Sequence, residues 1–544
     1  MGRRLRSGVS RVALAIAILL VGCVGQTSTP APSSPTAVTQ PSPGGAHETP
    51  AAHVTPAGHT PHPQATSTPL PEAAFTPSAV VTIQVDGATR YQTFAGFGAA
   101  LTPFEWDGIY RAHDPTQPAK VTASQTNREA IARLLFTDLG IAHARLFVSG
   151  FEPTNDNADP FTLNLTGFDW TRVNWLTDFL ALARPAGMQS WWVTFMTTFN
   201  QSEDWLRLPG DPCRLDPAKI DEEVEWLLAG ALRFREAGFE LPYLAVQNEP
   251  DLGPGCPNGP PISVEDYVTI VKRLGARMRA EGLTTQIIVS DGWIPQNALR
   301  YMQAVLDDPD ARQYVSVLAY HAYADGYDDP VTLLNASARG QPPHAAVGVR
   351  EQIRDLAAQY NLPVWMTEIC YCTPRNASDF DLVRGRLNHV HDELTIANVS
   401  AFDAMQLFFI DRPGVRDELV HVYFRPDGAL DRYEISIYGY LLGHYSRFVA
   451  RGSVRLKVDS GDPRVRVVAF QRPAGRVVIV ALNNNPFAVQ ANVSVVNSSQ
   501  TPAALSVLTS SEGTIWQSQP DIALEDGSAT TVLPPLSVTT LIGR

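Results

Sequence analysis

Two glutamates carry the clearest chemical signal in this chain. Glu249 ends the run Leu244-Ala245-Val246-Gln247-Asn248-Glu249-Pro250, and Glu368 ends Val364-Trp365-Met366-Thr367-Glu368. Short apolar runs flanked by proline and turn residues read as buried strands of a parallel sheet. A carboxylate at the C-terminal end of a barrel strand reads as catalytic, because a (β/α)8 barrel builds its active site there. The two residues lie 119 positions apart. That gap holds about three strand–helix units and assigns them to strands four and seven. Two facing carboxylates are the equipment for glycoside hydrolysis, one as general acid/base and one as nucleophile. Either glutamate alone reads equally well as a loop charge; the pair, with Asn248 beside the first, points to chemistry.

The elements that must position them repeat. Candidate strands are Phe94–Gly98, Ala144–Val148, Ser190–Thr194, Tyr243–Gln247, Ile287–Ser290, Val315–Tyr320, Val364–Thr367 and Ala404–Phe408. Helical periodicity separates them over Asn127–Leu139, Arg172–Ala183, Lys219–Glu236, Val264–Ala280, Val349–Tyr360 and Asp381–Asn398. Such units predict an α/β chain with a (β/α)8 barrel over 93–449. No GxGxxG or GxxxxGK[ST] motif follows a strand, so nucleotide binding finds no support. Residues 450–544 change character: Val465–Gln471, Arg476–Asn483, Ala491–Val496 and Val532–Ile542 predict a small antiparallel β-sandwich. The alternating run Val80–Val85 has no barrel partner, so residues 79–92 are expected to complete that sandwich, which reads as a structural cap.

The N-terminus carries a targeting signal. Arg3, Arg4, Arg6 and Arg11 precede an apolar run, Val12 to Val21, too short to span a bilayer. It ends in Leu20-Val21-Gly22-Cys23, which resembles a bacterial lipobox. The expectation is a signal peptide over 1–23 with lipidation at Cys23; a plain secretory signal is the alternative. Both place the protein outside the cytoplasm, at the cell surface or anchored to a membrane by lipid alone. Residues 24–78 are rich in Pro, Ser and Thr and predict a disordered tether. The net charge of −13, with no basic block after residue 11, argues against nucleic acid. Export favours disulfides. Cys213 and Cys256 fall in Pro/Gly-rich loops of one barrel face, and a bridge between them is expected; the state of Cys370 and Cys372 is open.

Five segments together resemble glycoside hydrolase family 30, the glucosylceramidase and xylanase-like retaining β-glycosidases. They are Phe94-Ala95-Gly96-Phe97-Gly98-Ala99-Ala100-Leu101-Thr102, Asn248-Glu249-Pro250, Tyr320-His321-Ala322-Tyr323, Thr367-Glu368, and Tyr445-Ser446-Arg447-Phe448-Val449 followed by Gly452-Ser453. The closing Ser537-Val538-Thr539-Thr540 also fits. The resemblance covers most of residues 80–544. It implies Glu249 as acid/base, Glu368 as nucleophile, and Asn248 on the sugar 2-hydroxyl. Arg145 matches the family's active-site arginine, which would hold the nucleophile ionised; a surface salt bridge is the competing reading. Glu152 falls where the family often has an aspartate gripping sugar hydroxyls, with a loop charge as the alternative. His321 and Tyr323 would bond the nucleophile or the sugar. The chain departs from the family after strand three, with Thr194-Phe195-Met196, and on strand eight, where Met405 precedes Gln406. Sugar stacking then falls to residues such as Trp192, Trp205 or Trp293.

The reading is therefore a retaining β-glycoside hydrolase acting on a carbohydrate or glycoconjugate, with no metal or organic cofactor implied. A non-catalytic carbohydrate-binding surface lipoprotein is the first alternative. A metal-assisted hydrolase using His321 is the second.

Overall fold

A computed structural model describes residues 75–101, 123–196, 203–211, 213–252, 261–371, 379–410, 417–425, 430–498 and 500–544. The signal segment, Cys23, most of the tether, Cys256 and Cys372 lie outside them. Among the described residues no helix is long and apolar enough to cross a membrane.

The first strand, β1 (Ala79–Thr93), leads into a closed parallel barrel. Its eight strands are β2 (Gly96–Leu101), β3 (His143–Val148), β4 (Ser190–Phe195), β5 (Tyr243–Ala245), β6 (Gln286–Gly292), β7 (Val315–His321), β8 (Val364–Glu368) and β9 (Ala401–Ala404). β2, β3 and β8 are buried throughout, which is why they read as continuous apolar runs rather than alternating ones. Gly98 closes the barrel interior: a Cβ there would collide with the Asp403 carboxylate and the His143 ring.

The expected eighth strand, Ala404–Phe408, straddles two real ones. The barrel strand is Ala401–Ala404, fixed by Phe97 opposite Phe402. After Met405 the chain leaves the barrel as β10 (Gln406–Ile410), which joins β11 (Glu418–Phe424) and β12 (Leu430–Ile435) in a separate three-stranded sheet. Among the described residues, four helices also lie outside the expected set, Pro295–Asp307, Pro309–Arg312, Pro330–Arg339 and Ile437–Ser446. The first three start on proline, which the first turn tolerates because the N–H at that position has no partner there anyway.

The remaining strands are β13 (Val454–Asp459), β14 (Val465–Gln471), β15 (Val477–Asn483), β16 (Val489–Val496), β17 (Ala504–Ser511), β18 (Thr514–Ala523), β19 (Ser528–Leu533) and β20 (Ser537–Gly543). They form a β-sandwich with strand order β18-β17-β20-β15-β14-β13-β1-β16-β19. The expected strand Val532–Ile542 is two strands, split at Pro534-Pro535. β1 sits inside this sheet, antiparallel to β13 and parallel to β16. Its inward Val81, Ile83 and Val85 are buried with Leu456, Ile479, Val493 and Leu541.

Barrel and sandwich share a buried, charged seam. Arg466 of β14 pairs with Asp392 of the helix Asp379–Thr395, and Arg384 donates to Asn484 at 2.5 Å. Phe94, entering the barrel, packs on Phe470 of β14 with ring centroids 5.7 Å apart.

Candidate active site

The C-terminal ends of six barrel strands or their following residues converge on one buried polar group. Arg145, on β3, is fully buried. Its Nη1 donates to Oε2 of Glu368 at the end of β8. Its Nη2 donates to Oδ1 of Asn248 at 2.6 Å and to Oδ2 of Asp291 at 2.9 Å. The guanidinium is clamped by the rings of Phe147 and Trp192, 4.3 and 5.2 Å away. Tyr323 donates to Oε1 of Glu368 at 2.8 Å and accepts from the Cys370 N–H at 2.9 Å. Both oxygens of Glu368 are thus bonded, one by a cation and one by a phenol.

Glu249 is held differently. It has φ +51°, a left-handed conformation that only a determined surrounding imposes on a non-glycine residue. The carbonyl of Asp291 accepts its N–H at 3.0 Å, and Asn248 N–H reaches the carbonyl of Phe195 at 2.7 Å. Oε1 of Glu249 lies 3.1 Å from Nδ1 of His321. One carboxylate oxygen of Glu249 and one of Glu368 lie within 4.8 Å of each other and of a His321 nitrogen.

Electrostatics follow from burial and pairing. Burial opposes a charge on His321, but Glu368 and Asp291 outweigh it and raise the imidazole to about 10. Burial would likewise raise Asp291; Arg145 and His321 outweigh it and hold the carboxyl well below the usual range. The group therefore contains two cations, Arg145 and His321, and three acids, Asp291, Glu249 and Glu368.

Asp291 is absent from the sequence reading, although its signal is the same one that marks the glutamates. The run Ile287-Ile288-Val289-Ser290 ends on it, and it too has a positive φ, +59°. It accepts from Arg145, from Thr194 at 2.7 Å and from Thr367 at 2.7 Å, and pairs with His321 at 3.0 Å.

Of the residues singled out from sequence, Arg145, Asn248, Glu249, His321, Tyr323 and Glu368 form one hydrogen-bonded network. The others stand apart from that network. Glu152 accepts from the Asp156 N–H at 3.0 Å, and its carbonyl accepts from Trp205 Nε1 at 3.0 Å. Trp293 follows β6, and its N–H reaches Oδ1 of Asp251, beyond the Glu249 turn, at 2.6 Å. Gln406 opens β10 with its Oε1 buried and unbonded. Trp192 cannot stack on a sugar: it is 1% exposed, lies within the barrel, and donates to Asp403 at 3.1 Å. Cys213 and Cys370 are both disulfide-bonded, so neither is a free thiol.

Comparison with known proteins agrees with this architecture. Residues 452–541 match the glycosyl hydrolase family 30 beta sandwich domain. The chain is 24% identical over 309 residues to the glucuronoxylanase XynC of Bacillus subtilis, covering 56% of this chain and 62% of that one. It therefore spans less than two thirds of that relative's length. It is 24% identical over 445 residues to putative glucosylceramidase 1 of Caenorhabditis elegans, covering 75% and 77%. A solved family 30 subfamily 8 xylanase, Xyn30A from Clostridium acetobutylicum, superposes with a TM-score of 0.64 at 20% identity, over 85% of this chain and 99% of that one. The chain thus has the barrel-and-sandwich fold of family 30 glycosidases, and its C-terminal segment matches that family's own domain model.

Proposed function

We propose that this chain is a family 30 retaining β-glycoside hydrolase, exported and anchored through a lipid on Cys23. The observation that carries the catalytic reading is the pair of buried glutamates with oxygens within 4.8 Å of each other, at the ends of the fourth and seventh barrel strands. A separation of roughly 5 Å is that of double displacement, whereas inversion needs about 6.5–9.5 Å to admit a water. The relatives, a glucuronoxylanase and a putative glucosylceramidase, support a β-linked sugar as substrate.

In this reading Glu368, held by Arg145 and Tyr323, attacks the anomeric carbon. Glu249 gives its proton to the departing glycosidic oxygen, and a glycosyl-enzyme forms on Glu368. Glu249, now ionised beside the His321 cation, takes a proton from the incoming water, whose oxygen displaces Glu368 and restores the site. Asn248, positioned by Arg145, bonds the sugar 2-hydroxyl. Lipid attachment rests on the sequence of residues 1–23 and is tested by metabolic labelling with a fatty acid, lost on Cys23→Ser. The catalytic reading is tested by trapping: a 2-fluoro β-glycoside with a good leaving group should leave a sugar on the peptide containing Glu368. Turnover with inverted product, or no turnover of any aryl β-glycoside, would sink it; the second result would favour a carbohydrate-binding lipoprotein.

A further inference from the structure

The loop after β7, residues 322–329, carries one working side chain and two anchors. Tyr323, which donates to Glu368, stands two residues before Asp325 and four before Tyr327. Oδ2 of Asp325 accepts from Nη1 of Arg350 at 2.6 Å, and its Oδ1 accepts from the Tyr327 N–H at 3.3 Å. The Tyr327 hydroxyl donates to Oδ2 of Asp392 at 2.8 Å. Asp325, Tyr327, Arg350 and Asp392 are all buried. Between Tyr323 and the first anchor, Ala324 holds φ +58°, a conformation that the surroundings must impose on a non-glycine residue.

Both anchors lead to one helix, Asp379–Thr395, and through it to the sandwich. Arg350, from the helix His344–Tyr360, also donates through Nε to Oε1 of Glu393 at 2.8 Å. Glu393 takes the Tyr320 hydroxyl as well and lies 2.8 Å from Nε2 of His389. Nδ1 of His389 meets the hydroxyl of Tyr371, three residues past Glu368, at 2.6 Å. The same ring stacks on Tyr327 with centroids 3.9 Å apart. Asp392, beside Glu393, pairs with Arg466 of β14. The strand ends that carry Tyr323 and Glu368 are thus tied to the same helix, and that helix to the sandwich. A buried network whose members are hydrogen-bonded rigidifies what it touches.

We propose that Asp325 and Tyr327 are positioning residues for the nucleophile, and that the sandwich, through Arg466 and Asp392, sets where the Tyr323 hydroxyl meets Glu368. The inference rests on the reading of Glu368 as nucleophile. Only Ala324 separates Asp325 from Tyr323, so a shift of the anchor is passed on to the hydroxyl rather than absorbed. A displaced hydroxyl leaves one oxygen of Glu368 without its phenol, and a misplacement of about an ångström can cost on the order of 10²-fold in rate. The sandwich then contributes to turnover without reaching the site.

The test uses the full chain and two readouts. Tyr327→Phe deletes one hydroxyl and keeps the ring on His389. With an aryl β-glycoside it should lower kcat roughly tenfold or less and leave KM within about twofold. In a Tyr323→Phe background the same change should cost nothing further, because the group it positions is gone. Losses that multiply in the two backgrounds would make Tyr327 a structural residue only and overturn the proposal. Arg466→Ala should lower kcat in the same sense, and Arg466→Lys should restore part of it; wild-type kcat in Arg466→Ala would also overturn it. The second readout needs no turnover. The Cys370 N–H bonds the Tyr323 hydroxyl, so its hydrogen exchange reports where that hydroxyl sits. Exchange there should quicken about tenfold in Tyr327→Phe, with the β15 amides unchanged. Unchanged exchange at Cys370, or a quickening shared equally by β15, would overturn the proposal whatever the kinetics. A wild type that turns over no β-glycoside would sink the glycosidase reading instead, and exchange would still decide whether the sandwich holds Tyr323. If Arg466→Ala does not fold, Tyr327→Phe decides.

Discussion

Oδ1 of Asp291 lies 3.0 Å from Nε2 of His321, and the other nitrogen of the same ring faces Glu249 at 3.1 Å. The second oxygen of Asp291 takes Arg145, which grips Glu368. One aspartate thus aims two cations at the two glutamates. Replacing it with asparagine keeps the shape and removes the charge. The displacement of His321 and Arg145 should cost on the order of 10²-fold in kcat/KM, the scale of an ångström-level misplacement. The imidazole, raised to about 10 partly by Asp291, should lose its proton at lower pH. The His321 titration, followed by NMR of the imidazole protons, should then move acidward, and an unmoved titration would show that His321 does not depend on Asp291. The sign for stability is fixed by the same shift. A raised histidine stabilises fully below its unfolded value of about 6.5, and that contribution fades as pH rises toward 10. Asp291→Asn should flatten this loss, as read by denaturant melts across pH 6–10.

Tyr323 has two tasks, donating to Glu368 and accepting from the Cys370 N–H. Tyr323→Phe deletes both and leaves a buried N–H unpaired, a cost of about 1–3 kcal/mol. Denaturant unfolding should register that loss. The nucleophile keeps Arg145, so kcat/KM should fall roughly tenfold rather than vanish, the scale of about 1.4 kcal/mol. A loss comparable to deleting Glu368 itself would mean that Tyr323 takes part directly in the chemistry.

The pair of glutamates is legible because a buried parallel strand must be apolar, so the polar residue that ends it stands out. Asp291 carries the same signal but is masked, since Ser290 and Gly292 on either side read as turn residues. The eighth strand is hard to place for the opposite reason. The polar residues between Val399 and Phe409, Ser400, Asp403 and Gln406, recur at every third position across both strands, and none of them marks the bend at Met405, which is set by the pairing of Phe402 with Phe97. Aromatic side chains are the least legible. Trp192 and Trp293 look alike in sequence, but the pleat turns the first into the barrel, while the second lies beyond the end of β6. The partnership of β1 with the sandwich is readable from topology, because an alternating strand ahead of a closed barrel has no other sheet to join.

That topology has a consequence for stability. Both ends of the barrel enter one sheet, and Arg466 and Asp392 make a buried ion pair across the seam. Arg466→Ala leaves Asp392 buried with its main partner gone and should cost about 3–5 kcal/mol. The double variant with Asp392→Ala should recover part of that loss. Asp392 is held well below the ordinary carboxylate range by Arg466 against the opposing effect of burial. Its contribution is therefore present above the unfolded value of about 3.9 and is lost as pH falls below it. Melts of the wild type should show one transition, and the wild-type advantage over Arg466→Ala should shrink below about pH 4. Two separate transitions would show that barrel and sandwich fold independently. A fragment ending near residue 449 would strip β1 of its partners and expose an edge, so it should aggregate.

The two glutamates should fail in different ways. Glu368→Gln removes the nucleophile, so no glycosyl-enzyme forms and every substrate should be lost alike. Glu249→Gln removes only proton transfer, worth on the order of 10²–10⁴-fold. A dinitrophenyl β-glycoside needs little help to depart, so its first step should survive in the Glu249 variant. Deglycosylation still needs a base, so the intermediate should accumulate and appear as a burst. Azide needs no base. It can enter the space left by the missing charge and attack the anomeric carbon from the face opposite Glu368, releasing a β-glycosyl azide. In the Glu368 variant azide can only replace the nucleophile itself, and an α-azide should form, from a β-fluoride donor. If azide rescues neither variant, or each yields the other's product, Glu249 is not the acid/base and Glu368 not the nucleophile, even though the barrel is right.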